Sequence, residues 1–148
     1  AGQMGADAAL AADDTLIPRL REMNEGRLAD LVIICFDGFI PLALRCVEKG
    51  GTILFFAGAA EGATLPGALN DLFWRTEITL TSTYAGAPAD CLTALKLIRE
   101  QSVPVLHTVT HRLSMDEGAT GFRMVASPVE HHCLKVIVRP QESAYPRS

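Results

Sequence analysis

Four histidines and four cysteines are the side chains of this 148-residue sequence best suited to metal or nucleophilic chemistry, and their spacing argues against both uses. His107-x-x-x-His111 would stack two rings on one face of a helix. The surrounding VPVLHTVTHRL, however, has the β-rich character of a strand, where residues four apart sit about 13 Å from each other. His131-His132-Cys133 reads as a solvated turn before a last strand. Cys35, Cys46, Cys91 and Cys133 are scattered, with no C-x-x-C pair for a local zinc site, so free thiols are expected. Cys35 follows three apolar residues in a predicted buried strand and lacks the exposure and positive neighbours of a reactive thiolate. Asp13-Asp14 and Asp116-Glu117 are explained as helix-start residues. No residue is therefore assigned a catalytic or metal-ligating role.

What remains is binding, and binding depends on the elements that carry the glycines. Residues 31–35 form an unbroken apolar run rich in branched side chains, as expected of a parallel strand covered on both faces. A helix is predicted over 39–48, with Ile40, Leu44 and Val47 on one face and Gly50-Gly51 as its stop. A second buried strand follows over 52–57. Strand, helix and strand in this order make a parallel α/β unit. Its ligands would bind beyond the carboxyl ends of the strands, at 36–38 and 58–62.

Upstream, Asp13-Asp14 can cap an amphipathic helix that Gly26 ends. Downstream, Ile78-Thr79-Leu80-Thr81 alternates as a strand, and Pro88 opens a helix with Leu92, Leu95 and Ile98 on one stripe. Residues 103–113 have extended character. Ser114-Met115-Asp116-Glu117 has capping-box spacing before a helix carrying Ala119, Phe122, Val125 and Ala126, and residues 134–138 close as a strand.

At 49% hydrophobic, the length suits one core. A formal charge of −4 with acids and bases interspersed gives no footprint for nucleic acid or an anionic membrane. No apolar run reaches the length of a membrane span, and AGQMGADAAL lacks the basic region of a secretory signal, so a soluble, cytoplasmic protein is expected.

In order, ADLVII, GGTILFFAG, FWRTEITLTSTYAGAP, VTHR and LKVIV resemble the C-terminal part of the zinc-dependent medium-chain alcohol and polyol dehydrogenases. The resemblance covers nearly the whole chain. It implies an α/β fold with a partial Rossmann-like parallel sheet and flanking helices. Residues 1–87 would be the second half of an NAD(P)-binding domain, and 88–148 would belong mainly to a catalytic domain. It further implies NAD, or NADP, as cofactor. Gly38, Gly58, Ala59, Thr83 and Tyr84 match positions near the dinucleotide, and Lys135 matches a basic position at the pyrophosphate. Trp74 and Phe73 are read as packing residues.

Two family features have no counterpart here: the domain that supplies the catalytic zinc ligands, and the G-x-G-x-x-G turn that cradles the pyrophosphate. Gly58-Ala-Ala-Glu-Gly62 has other spacing and places a carboxylate where phosphate would be repelled. The chain thus resembles a dehydrogenase fragment, inactive alone, with zinc and the alcohol or polyol substrate belonging to the parent enzyme. A homo-oligomer is expected through the strand over 78–82, which pairs across a two-fold axis in the resembled family. A non-enzymatic α/β interaction module that kept this fold is the alternative.

Overall fold

A computed structural model describes residues 2–36 and 39–140. The chain divides into two compact units, Ala6–Ala85 and Gly86–Ser148, where the length and composition suggested a single core.

The first unit contains α1 (Leu16–Met23), β1 (Ala29–Ile34), α2 (Ile40–Cys46), β2 (Val47–Phe55), a π-helical turn (Asn70–Trp74) and β3 (Thr79–Ser82). All three strands run parallel in the order β1-β2-β3, with Val32 opposite Ile53, Ile53 opposite Leu80, and Phe55 opposite Ser82. The carboxylate of Asp13 fixes the start of α1 by accepting the hydroxyl and the backbone N–H of Thr15 at 2.6 and 2.8 Å, which holds its pKa below the ordinary value. Gly26, at φ 83, ends that helix by donating to the Arg21 carbonyl at 2.7 Å.

The core lies between α2 and one sheet face. Ile34, Ala43, Val47 and Ile53 are buried there, flanked by Val32, Ile40, Leu44, Phe55 and Ile78. The expected helix over 39–48 is shorter than its apolar stripe suggested. It stops at Cys46, and Val47 passes directly into β2, opposite Ala29. Gly50-Gly51 therefore sits inside the strand, where Gly50 has φ 75 and donates to the Thr76 carbonyl at 2.8 Å. Glycine inside a strand marks a bend or a close approach, and Gly51 shows the second. A Cβ added there would lie 2.8 Å from Val47 Cγ2, 2.9 Å from the Glu48 carbonyl oxygen and 3.1 Å from that of Asp30. Two of those atoms are backbone and cannot rotate away. Gly51→Ala is expected to lower unfolding stability by about 1–3 kcal/mol, measured as a fall in the urea midpoint; an unchanged midpoint would contradict this packing.

The bend is also pinned by Glu48. Its carboxylate accepts the backbone N–H of Leu28 at 2.8 Å and that of Lys49 at 3.1 Å, and these bonds hold its pKa below the usual carboxylate value. On the sheet face away from α2, Leu31 and Ile33 remain 55% and 51% exposed, so β1 is not covered on both faces as its apolar run suggested. Cys35 falls just past β1 and is exposed, not buried in the strand.

The second unit contains α3 (Pro88–Arg99), β4 (Val109–Ser114), α4 (Gly118–Ala126) and β5 (Lys135–Arg139). α3 begins at Pro88 as expected, and the Asp90 carboxylate accepts the Ala87 N–H at 2.8 Å. Residues 105–108 make a 3-10 turn, so the extended stretch is confined to β4. Ser114 and Glu117 form the expected cap. The Glu117 carboxylate accepts the backbone N–H of Ser114 at 3.0 Å and its hydroxyl at 2.8 Å, which holds its pKa below the usual value.

β4 and β5 pair in parallel, with Arg112 opposite Ile137. α4 crosses one face of the pair through Gly121, where an added Cβ would meet Leu113 and Val136 at 3.2 Å. The stripe of α4 that the sequence marked as its apolar face behaves differently, since Phe122 is 82% exposed. No described helix is long and apolar enough to cross a membrane.

Candidate functional site

Because β2 and β3 are parallel and in register, their carboxyl ends stop at the same level, with Phe55 opposite Ser82. The chain leaving each strand becomes one wall of an open groove of ≈ 510 Å³. Phe56, Ala57 and Gly58 line one side, and Thr83, Tyr84 and Ala85 the other. Phe56 and Ala57 are tied down by N–H donation to the Ile34 carbonyl at 3.2 and 3.0 Å, which anchors that wall to the end of β1. Ala85 turns the opposite wall with φ 57. Nothing lies within 4 Å of where a Gly58 Cβ would stand, so this residue borders open space. The Tyr84 ring is almost fully exposed, and Phe56 is exposed as well.

Tyr84 supplies the one titratable side chain in the lining, which otherwise consists of apolar groups, hydroxyls and main chain. Such a surface can hold a flat, uncharged ring and hydrogen-bond its substituents. It contains no carboxylate, imidazole or amine to move a proton.

The structure thus brings three of the sequence-derived positions, Gly58, Thr83 and Tyr84, to one groove. Ala59 lines a neighbouring apolar cavity of ≈ 380 Å³ with Ile34, Ile40, Leu44, Ile53 and Phe55. Gly38, and Asp37 beside it, lie outside the described residues. Lys135 belongs to the second unit, at the head of β5, and is exposed. Sequence reasoning overlooked Phe56 and Ser82. Their signal was the register itself, which places the residues ending each strand at a shared edge. Phe73 lines the apolar cavity as a packing residue should, whereas Trp74 is 75% exposed.

Among the described residues, no three His, Cys, Asp or Glu side chains are grouped to hold a metal. His111 Nδ1 lies 3.0 Å from the Thr110 hydroxyl. All four cysteines are free, and burial pushes the Cys46 thiol above its ordinary pKa.

No protein-family model matches the chain, and no curated protein does. Solved structures do. An alcohol dehydrogenase of Thermus sp. ATN1 superposes with a TM-score of 0.75 at 22% identity, covering 93% of this chain and 40% of its own. The chain carries part of the alcohol dehydrogenase fold.

A zinc dependent alcohol dehydrogenase of Streptococcus pneumonia gives 0.75 at 18% identity over 95% of this chain and 41% of its own. A short chain alcohol dehydrogenase of E. coli CFT073, solved in complex with NADH, gives 0.76 at 16% identity over 93% and 40%. The chain spans about two fifths of the length of these alcohol dehydrogenase structures.

Proposed function

We propose that this chain is the C-terminal part of a zinc-dependent, NAD(P)-linked alcohol or polyol dehydrogenase. Residues 1–87 are the second half of the cofactor domain and 88–148 belong mainly to the catalytic domain. The observation that carries this reading is the groove at the carboxyl ends of β2 and β3, the edge where open parallel sheets bind ligands. Its glycine wall, hydroxyls and aromatic rings suit a nicotinamide ring and its carboxamide. Bound there, NAD would supply a hydride acceptor for an alcohol.

The residues of this chain bind and orient. The main chain at Gly58 allows close approach, Thr83 presents main-chain groups and a hydroxyl to the carboxamide, and Tyr84 shields the ring from water. Ala59 and Gly38 border the same ligand, and Lys135 meets a phosphate as a point charge. Zinc finds no ligand set among the described residues and is assigned to the remainder of the parent enzyme, with the alcohol or polyol substrate. The chain alone is proposed to be inactive, and the parent cytoplasmic.

NAD reduction with alcohols by this 148-residue polypeptide would overturn the inactivity. The reading frame upstream of Ala1 separates the two functional readings. An in-frame zinc-ligand region with G-x-G-x-x-G supports the dehydrogenase, and a start codon beside Ala1 supports the interaction module.

Assembly follows from the strand order. β3 is an edge strand whose residues, 79–82, are all exposed, and an uncovered parallel edge seeks a partner. A symmetric dimer through 78–82 is expected, seen as twice the chain mass in light scattering at micromolar concentration. A stable monomer would contradict it.

A further inference from the structure

The sheet face under α2 is not filled by the chain's own side chains. In register across the three strands, Ile34, Phe55 and Ser82 make one row, and Ile53 and Leu80 stand in the next row of the same face. Ile40 and Leu44 of α2 close one side of the space above these rows, and Ala63, Leu65, Leu72 and Phe73 close another. The cavity between them is ≈ 380 Å³. Native cores hold few voids larger than a water molecule, and an apolar cavity of about 150 Å³ already takes benzene. The space above Ile53 has room for two fused rings.

Water is a poor occupant. A buried water needs about two to four polar partners, and the polar side chains of this lining are the hydroxyls of Thr64, Thr81 and Ser82. No charged group, amide or imidazole joins them, so an ion would enter without a partner for its charge. Alternation places Ser82, not Thr81, on the floor beside Phe55. The Ser82 hydroxyl makes no hydrogen bond to a described residue and keeps both its donor and its acceptor for a ligand. Leu65 and Leu80, at 38% and 39% exposure, leave apolar surface that an occupant would cover.

We infer that this cavity is a binding site for a small, uncharged ring compound, largely apolar and bearing one hydrogen-bonding group that the Ser82 hydroxyl fixes. Ile53, Phe55 and Leu80 meet one face of the rings, and Leu44 and Leu72 enclose the others. Phe55 and Ser82 also border the groove at the strand ends, so the ligand lies beside that groove and not within it. The site does not depend on the cofactor reading above, since every residue it uses is defined by the packing of α2 and the sheet.

Indole and indene test it on the full chain. The two have the same shape, and only indole carries an N–H. With methyl groups isotopically labelled, millimolar indole should move the signals of Ile40, Leu44, Ile53 and Leu72 along one saturable curve. Indole should bind about three- to tenfold more tightly than indene, as expected for one neutral hydrogen bond, and S82A should remove that difference. L44W tethers an indole ring inside the cavity and should weaken binding of free indole at least tenfold, whereas L31A on the opposite sheet face leaves it unchanged. Far-UV circular dichroism checks that each variant is folded. Indole signals confined to Leu31 and Ile33, unchanged binding by folded L44W, or equal loss in L31A would overturn the site. Equal affinity for indole and indene, or a difference that survives in S82A, would overturn the role of Ser82. Should L44W not fold, the indole and indene comparison in S82A still decides, because Ser82 is exposed and its truncation leaves the core intact. None of these readouts involves a dinucleotide, so failure of NADH to bind would count against the cofactor reading alone.

Discussion

Replacing Ile53 with alanine is expected to cost about 2–5 kcal/mol of stability, a large share of the 5–15 kcal/mol typical of a domain. Ile53 is 1% exposed and is the largest fully buried side chain described. It stands in the middle strand, flanked by Val32 and Leu80, and packs with Ile34, Ala43 and Val47. It also lines the apolar cavity of ≈ 380 Å³, so its truncation would enlarge a void that already exists. The paired control is Leu31→Ala on the uncovered face, where the side chain is 55% exposed and the cost should stay below about 1 kcal/mol. Urea unfolding of both variants checks the contrast. Equal losses would mean that the core does not lie between α2 and the sheet.

The second large effect concerns binding without stability. Gly58→Leu is expected to weaken NADH binding about tenfold or more by placing a side chain in the groove, while stability changes by no more than about 0.5 kcal/mol. The reasons are local. Gly58 is absent from the glycines with positive φ, and a Cβ there meets nothing within 4 Å. A Cβ at this position therefore stands in open space and displaces no neighbouring atom. Parallel thermal melts and NADH fluorescence titrations test this. Loss of stability together with binding would assign Gly58 to the fold, not the site.

Residues 31–35 and 52–57 were legible as parallel strands because branched apolar runs of that length have few other uses, and the observed strands are Ala29–Ile34 and Val47–Phe55. α3 was legible from Pro88 at its start, and the Ser114–Glu117 cap from its spacing. Gly50-Gly51 misled because a glycine pair signals a helix stop and a strand bend alike, and only contact with Val47 and Glu48 distinguishes them. Leu31 and Ile33 read as two-sided burial because hydropathy reports the capacity to be covered, not the presence of a cover. Cys35 was misplaced by one residue at a strand end, enough to turn a buried thiol into an exposed one. At the site, Gly58, Thr83 and Tyr84 followed from family resemblance combined with the strand-end rule. Phe56 and Ser82 needed the register, which no local pattern encodes.

The carboxyl ends of β2 and β3 are proposed to receive the nicotinamide end of a dinucleotide. Titration of the isotopically labelled chain with NADH tests it most directly. Amide signals of residues 56–59 and 82–85 should move together along one saturable curve. Millimolar NADH that leaves them in place, or moves only residues elsewhere, would contradict it.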